Sequence, residues 1–166
     1  MTAPVRPDGK FLLAHPAHWI ALGLGSGLPR IAPGTWGTLA GWALFVALDP
    51  WLAGGGWPWA VLGVFAVGAW AAQVTGRHLG AADCSHIVID EIVAFWIVLL
   101  MLPADTAYPV VQQAAAFLIF RLFDIVKPPP IRAVDIRFKN GLGVMADDLI
   151  AAFYTLLVFA LWVRLT

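Results

Sequence analysis

The sequence is short of charge and of cysteine. Charged residues make up 12% of the chain, where ordinary soluble domains have roughly 25%. Ten basic residues are balanced by ten acidic ones, so no basic surplus is present to neutralise a nucleic-acid backbone, and a nucleic-acid partner is excluded. The single cysteine, Cys84, excludes a disulfide framework and a cysteine zinc site. We expect no signal peptide, because the first 18 residues hold no apolar core of sufficient length.

Apolar side chains are what the chain has in abundance. They make up 61% of its 166 residues and include nine tryptophans, which collect at membrane interfaces. The length fits one domain. We therefore predict a single membrane-associated domain over residues 1–166, with residues 1–17 as an N-terminal cytoplasmic tail.

Five apolar segments exceed ordinary strand length and lack the alternation of a half-buried strand, so each is predicted to be a helix. They cover residues 38–53, 57–75, 87–102, 110–126 and 145–163. Most are somewhat shorter than the ~20 residues that cross a ~30 Å hydrocarbon core. The sequence predicts an all-α, multihelical bundle of about five apolar helices, integral to a membrane.

Threading these helices up and down sends their loops alternately to the two sides of the membrane. The side that carries the N-terminus receives the loops 1–37, 76–86 and 127–144. Eight of the ten lysines and arginines lie in those loops: Arg6, Lys10, Arg30, Arg77, Lys127, Arg132, Arg137 and Lys139. Because such residues are enriched in cytoplasmic loops, this side is predicted to face the cytoplasm.

Acidic residues gather on the same side. Asp90 and Glu91 open the third predicted helix, Asp124 closes the fourth, and Asp147 with Asp148 open the fifth. Because the fourth helix is antiparallel to its neighbours, all five carboxylates are predicted to meet near the cytoplasmic interface. Crowded, partly desolvated carboxylates need a compensating cation. All five are predicted ligands of Mg²⁺, with Mn²⁺ as the other candidate, since hard oxygen donors favour these ions over zinc.

A simpler interpretation exists for four of these acids. Asp and Glu at a helix N-terminus complement the helix dipole and cap free amides without any metal. Asp124 does not fit that interpretation, because a carboxylate in the last turn opposes the dipole. Its partner is predicted to be either a metal or Arg121, three residues earlier.

Two cations frame the proline-rich segment after the fourth helix. Prolines 128–130 hold the chain extended between Lys127 and Arg132, which fixes the spacing of the two positive charges. Arg132 is predicted to bind a phosphate group through two hydrogen bonds, and Lys127 to supply a point charge. The alternative is that both residues only contact anionic lipid head groups.

A glycine-rich segment precedes the first long helix. Residues 23–27 and 33–38 place Ser26, Thr35 and Thr38 among glycines, where hydroxyl and backbone N–H groups can bind an anion. The segment matches neither the P-loop nor the dinucleotide-binding pattern. We predict that these three side chains contribute to substrate binding.

Four sequence strings stand out in a fixed order. They are GSGLPRIAPGTWGT (25–38), IDEIV (89–93), FRLFDIVKPPPIR (120–132) and GVMADD (143–148). Together they closely resemble the phosphatidylglycerophosphatase A family, and the resemblance runs from about residue 18 to residue 160.

The resemblance implies a multihelical, Mg²⁺-dependent enzyme of the bacterial inner membrane that converts phosphatidylglycerophosphate into phosphatidylglycerol and phosphate. On that match, the five acids correspond to the family's acidic positions, and Lys127, Arg132 and Asp135 to its polar loop. We expect a metal-activated water to attack the phosphorus. The predicted catalytic residues are Asp90, Glu91, Asp148 and Lys127.

Two other classes of membrane protein were weighed. A small carrier that couples ion or proton movement also keeps acids among apolar helices, but it should place some of them near the membrane midplane. A membrane alcohol phosphotransferase also uses Mg²⁺ and aspartates, but its Asp-Gly and Asp-x3-Asp signature is missing from this chain. The carrier is therefore the main alternative to a phosphatase.

Overall fold

The computed structural model describes residues 6–81, 84–103, 106–131 and 141–165. Within these ranges the protein contains seven α-helices and a short 3-10 turn, and no strand. The helices are α1 (Gly9–Ala14), α2 (Pro16–Ala21), α3 (Pro33–Leu52), α4 (Trp57–Leu79), α5 (Ile89–Met101), α6 (Pro109–Val126) and α7 (Gly141–Leu165). The predicted all-α fold class is confirmed.

Each of the five predicted apolar segments is helical, but two helices start earlier than expected. Helix α3 begins at Pro33, because a proline in the first turn has no N–H that would be left unpaired. Helix α7 begins at Gly141, four residues before the predicted start. The Gly141 N–H donates to the side-chain oxygen of Gln73 on α4, at 2.8 Å, and so is satisfied at the helix end.

Helix α5 is the centre of the fold. Ten of its 13 residues are buried, and α3, α4, α6 and α7 all pack against it. A helix of this length rises only about 20 Å, which is less than the hydrocarbon thickness of a bilayer. Its apolar sequence therefore reflects burial among other helices rather than contact with lipid.

Three helices are long and apolar enough to cross a membrane: α4, α6 and α7. Their outer faces expose large apolar side chains, such as Leu62 on α4, Leu118 on α6 and Leu161 on α7. The expectation of about five membrane-crossing helices is supported for these three alone.

The N-terminal region is more ordered than the predicted tail. Helix α2 packs against α4, and the buried ring of His18 links the two helices. Its Nδ1 lies 2.7 Å from the Phe11 carbonyl oxygen, and its Nε2 lies 2.8 Å from Nδ1 of His78 near the end of α4. Residues 9–21 thus belong to the folded bundle.

Candidate active site

A cavity of about 530 Å³ opens where four long helices begin or end. Its wall includes the start of α3 at Pro33 to Thr35, the start of α5, the last turn of α6 and the second turn of α7. Five acids and two cations line it: Asp90, Glu91, Asp124, Asp147, Asp148, Arg121 and Lys127. The structure therefore brings together all five acids that the sequence placed at one level.

The early start of α7 removes the simpler interpretation for one acidic pair. Asp147 and Asp148 lie in the second turn of α7, whose first turn holds no acidic residue. A helix dipole or cap effect does not account for acids at that depth. Asp90 and Glu91 do lie in the first turn of α5, and the Asp90 side chain accepts the Glu91 N–H at 3.0 Å.

Arg121 joins two of the acids. Its Nη1 donates a hydrogen bond to Glu91 Oε1 at 2.9 Å and forms an ion pair with Asp124 Oδ2, which lies 2.7 Å away. All three side chains are only 11% exposed. The choice left open for Asp124 is thus partly resolved, because Arg121 is a partner of Asp124 and also reaches across to α5.

The start of α3 is shaped around the Glu91–Arg121 pair. A Cβ atom at Gly34 would overlap Glu91 Oε1 and come within 2.8 Å of Arg121 Nη2. A Cβ at Gly37 would lie 2.5 Å from Val88 Cβ and 3.0 Å from Glu91 Oε2. Two glycines one turn apart therefore form a slot on α3 that accepts the Glu91 carboxylate.

Lys127 ends α6 in the left-handed backbone region, with φ of 45°. Its ammonium group donates to Asp147 Oδ2 at 2.6 Å. The second cation of the cavity is therefore held by α7, and the bond fixes the end of α6 against that helix.

Burial makes ionisation of Glu91 and Asp90 expensive. It raises the pKa of Glu91 to about 8, although the Arg121 guanidinium opposes that rise. Burial, and then the neighbouring charge of Glu91, also raise the pKa of Asp90 well above its ordinary value. If all five acids were ionised, Arg121 and Lys127 would balance two of them, which leaves three negative charges uncompensated by the described residues of the wall.

Comparison with known proteins covers almost the whole chain. Residues 19–163 match the family model described as phosphatidylglycerophosphatase A, and all four sequence strings lie inside that range. The chain belongs to the phosphatidylglycerophosphatase A family. This confirms the family predicted from the sequence and, with it, the prediction of an enzyme.

The relatives of this phosphatidylglycerophosphatase A family member are bacterial. The chain is 41% identical to the phosphatidylglycerophosphatase A of Haemophilus influenzae, over 92% of this chain and 91% of that one. It is 38% identical to the phosphatidylglycerophosphatase A of Escherichia coli, over 86% of this chain and 80% of that one. It is also 41% identical to a putative phosphatidylinositol-3-phosphatase of Bacteroides thetaiotaomicron, over 87% of this chain and 92% of that one. No solved structure matches the chain.

The five acids of the cavity suit a divalent cation in donor chemistry, because hard oxygen ligands favour such ions. Asp148 Oδ2 is buried without a hydrogen-bond partner, and the side chains of Asp124 and Asp148 are close enough to interact. Two carboxylates so placed need a proton or a cation between them. As they stand, no three His, Cys, Asp or Glu side chains in the described ranges are arranged to hold a metal. Binding by three of these side chains at once would therefore require rotation of one or more of them.

The predicted substrate-binding residues of this family member do not all line the cavity. Thr35 lines the cavity. Thr38 is fully buried, and its hydroxyl donates to the Gly34 carbonyl at 2.9 Å; neither it nor Ser26 lines the cavity. Arg132 and Asp135 lie outside the described residues.

The glycines around Ser26 serve close packing in the described structure. Gly23 has a positive φ of 53°, and a Cβ there would lie within 3 Å of Val88 and Ile92 of the α5 region. His86 makes a 2.6 Å hydrogen bond to the Gly27 carbonyl. This segment therefore braces the start of α5, which carries Asp90 and Glu91.

Arg121 is the residue that the sequence prediction undervalued. Its spacing from Asp124 indicated one ion pair, but nothing local indicated that it also contacts Glu91, 30 residues earlier. The informative signal was its place near the end of an apolar helix, where an arginine needs a partner.

Proposed function

We propose that this chain hydrolyses the phosphate monoester of phosphatidylglycerophosphate, releasing phosphatidylglycerol and inorganic phosphate, with Mg²⁺ or Mn²⁺ held by the acids of the cavity. The observation that carries the proposal is the cavity wall, where five carboxylates meet two cations among the residues that the structure describes. A phosphate dianion entering such a site is repelled unless further positive charge is bound. Family membership supports the same reaction.

The division of labour follows from the positions of the side chains. Magnesium, when bound by the carboxylates, supplies positive charge to phosphoryl oxygens and makes water more acidic. Asp90 or Asp148 accepts the proton of the attacking water, since neither has an ion pair with a cation in the described structure. Lys127 and the Thr35 hydroxyl, both on the cavity wall, orient the phosphate and neutralise its charge.

The surroundings of the cavity support a lipid substrate. Ile125 lines the cavity and is also 68% exposed on the outer face of α6. Leu122 and Val126, beside it on the same helix end, are exposed as well. The phosphorylated head group would enter the cavity while the acyl chains remain against α6 in the bilayer.

The lysines and arginines support a cytoplasmic orientation. Arg77 lies in the last turn of α4, at the end of the helix from which the chain leads towards Asp90. Arg30 precedes the start of α3 on the cavity wall. By the distribution of basic residues, this end of the bundle faces the cytoplasm in a bacterial inner membrane.

The carrier alternative is less well supported. The groove at the other end of α6 and α7 is lined by residues such as Thr106, Gln112 and Trp162, and none of the described residues that line it is charged. The described residues thus provide no series of acids leading from the cavity to the opposite face, which proton or ion transport would require.

The proposal is tested by phosphate release from detergent-solubilised, purified protein. We expect release from phosphatidylglycerophosphate in Mg²⁺ and none in excess chelator. Phosphatidylinositol 3-phosphate and water-soluble glycerol 3-phosphate serve as comparison substrates. Faster hydrolysis of the inositol lipid would contradict phosphatidylglycerophosphate as the preferred substrate and favour the substrate named for the Bacteroides relative. Absence of release from every substrate would contradict it.

A further inference from the structure

The five acids of the cavity differ in their partners. Asp124 and Glu91 share Arg121, and Asp147 is bonded to Lys127. Asp90 and Asp148 make no ion pair with a lysine or arginine of the described structure. The sequence predicts five equivalent metal ligands, but in the structure three of the acids pair with a cation and two do not.

The Glu91 carboxylate is held both by Arg121 and by close contact with α3. One oxygen accepts from Arg121, and both oxygens lie against the Gly34–Gly37 face of α3. The unbonded Oε2 sits 3.0 Å from where a Gly37 Cβ would be, inside the contact between α3 and α5. A cation that reached this oxygen would have to enter that helix contact.

Arg121 adds an electrostatic obstacle to metal binding by Glu91. A magnesium ion lies about 2.1 Å from its ligand oxygens. Bound to Glu91, it would be within a few ångströms of a guanidinium that is always charged and mostly buried, where like charges repel strongly. Asp124 also pairs with Arg121, but it differs from Glu91 in that its side chain interacts with Asp148 through a side-chain hydrogen bond.

We propose that Glu91 and Arg121 form a positioning pair that holds Asp124 in place, and that the divalent cation is bound by aspartates without Glu91. This inference rests on the proposed function and deepens it. The Thr38 hydroxyl, 3.4 Å from Arg121 Nη1, belongs to the same support. Together these contacts connect α3, α5 and α6 behind the cavity.

Replacing Glu91 and Arg121 by neutral amides distinguishes a positioning role of Glu91 from a role as metal ligand. The two roles predict opposite changes in Mn²⁺ affinity when Glu91→Gln is added to Arg121→Gln. We would titrate purified protein with Mn²⁺ and measure bound ion by electron paramagnetic resonance, without substrate. Arg121→Gln alone leaves Glu91 a buried, unpaired acid beside the site, and is expected to weaken Mn²⁺ binding about tenfold or more, as loss of an outer-shell contact does. Adding Glu91→Gln should restore part of that loss, because the amide pair is neutral and can hydrogen-bond.

If Glu91 were a ligand, the double variant would bind Mn²⁺ more weakly than Arg121→Gln alone, and that result would overturn the inference. The unfolding temperature of the metal-free protein gives a second readout. The double variant should unfold at a higher temperature than Arg121→Gln, because an unpaired buried charge is removed.

A second comparison applies if Arg121→Gln does not fold. Glu91→Gln should weaken Mn²⁺ binding by about tenfold, and Asp148→Asn by considerably more. Equal losses would overturn the inference while leaving the phosphatase proposal intact. Wild-type protein that hydrolyses the lipid but binds no Mn²⁺ would contradict the inference and the metal assignment of the proposed function, but not the hydrolysis itself.

Discussion

Two concavities in the described part of the chain are similar in size and opposite in chemistry. The cavity at the α5 start measures about 530 Å³, and the groove at the other end of α6 and α7 about 670 Å³. The first is lined by seven charged side chains, and the second by apolar and uncharged polar residues. Size therefore does not identify the functional site, whereas buried charge, which is expensive to maintain among apolar helices, does.

Replacing an aspartate by asparagine at each end of the bundle should give the largest difference in activity between the charged cavity and the uncharged end. Asp90→Asn in the cavity should lower kcat/KM for the phospholipid about 1000-fold, as expected for loss of a group that handles a proton or a metal. The measurement is phosphate release at saturating Mg²⁺.

Asp49→Asn is the matched control at the far end of α3. Asp49 accepts the Trp57 indole N–H at 2.9 Å, and the asparagine side-chain oxygen can accept it equally. Activity within about twofold of wild type is expected there. A comparable loss in both variants would remove the distinction between the two ends.

Two glycine-to-alanine changes compare a crowded position with an open one. Gly34→Ala puts a methyl group where Glu91 Oε1 lies, so it should destabilise the fold by about 1–3 kcal/mol. It should also lower activity by up to about 100-fold through displacement of the site. Gly63→Ala on α4, where a Cβ meets nothing within 4 Å, should leave activity unchanged and stabilise the helix by about 0.5–1 kcal/mol. Thermal unfolding and phosphate release on the same samples check both.

The acids of the cavity predict an unusual pH dependence for the metal-free protein. The pKa of Glu91 is raised from 4.5 to about 8, so the folded state binds more protons than the unfolded state between these values. Stability should therefore fall as pH rises from 4.5 to 8, opposite to the behaviour of an ordinary paired acid. The apparent unfolding temperature in detergent measures this.

Magnesium should counteract that loss. Because it binds ionised carboxylates, we expect it to raise the unfolding temperature by about 5 °C or more at pH 8 and by less at pH 5. An equal rise at both pH values would mean that the ion does not bind these acids.

The smallest expected effect comes from the apolar rim of the cavity. Ile125→Asn should raise KM for the lipid about fivefold with little change in kcat, because it removes roughly 1 kcal/mol of apolar contact with the acyl chains. Val111→Asn is its counterpart on the same helix, 65% exposed against 68% for Ile125, but in the distal groove. An equal rise of KM in both variants would point to a general effect on membrane insertion.

The meeting of the acids could be predicted from the sequence because it depends only on helix order. Apolar segments threaded up and down bring the start of one helix beside the end of the next, whatever the details of packing. Asp90, Asp124 and Asp148 followed from that rule. Hydropathy alone could not separate a helix buried in protein from one exposed to lipid, which is why α5 was expected to cross the membrane.

Contacts between distant segments could not be predicted in the same way. Gly141 and Gly143 lie inside α7 although glycine is a poor helix former, and Gly141 packs against Ala69 and Gln73 of α4. Thr38 was interpreted as a phosphate ligand, but its hydroxyl bonds to its own helix. Such roles are decided by what packs opposite each residue, and that is set by the tertiary structure.

Direct binding of Mn²⁺, followed by electron paramagnetic resonance, tests the central claim that acids from three helices share one cation. Wild type and Asp49→Asn should bind with equal affinity, whereas Asp90→Asn, Asp124→Asn and Asp148→Asn, on α5, α6 and α7, should each bind at least about tenfold more weakly. If the three aspartate variants bound Mn²⁺ as tightly as wild type, these acids would not form one metal site.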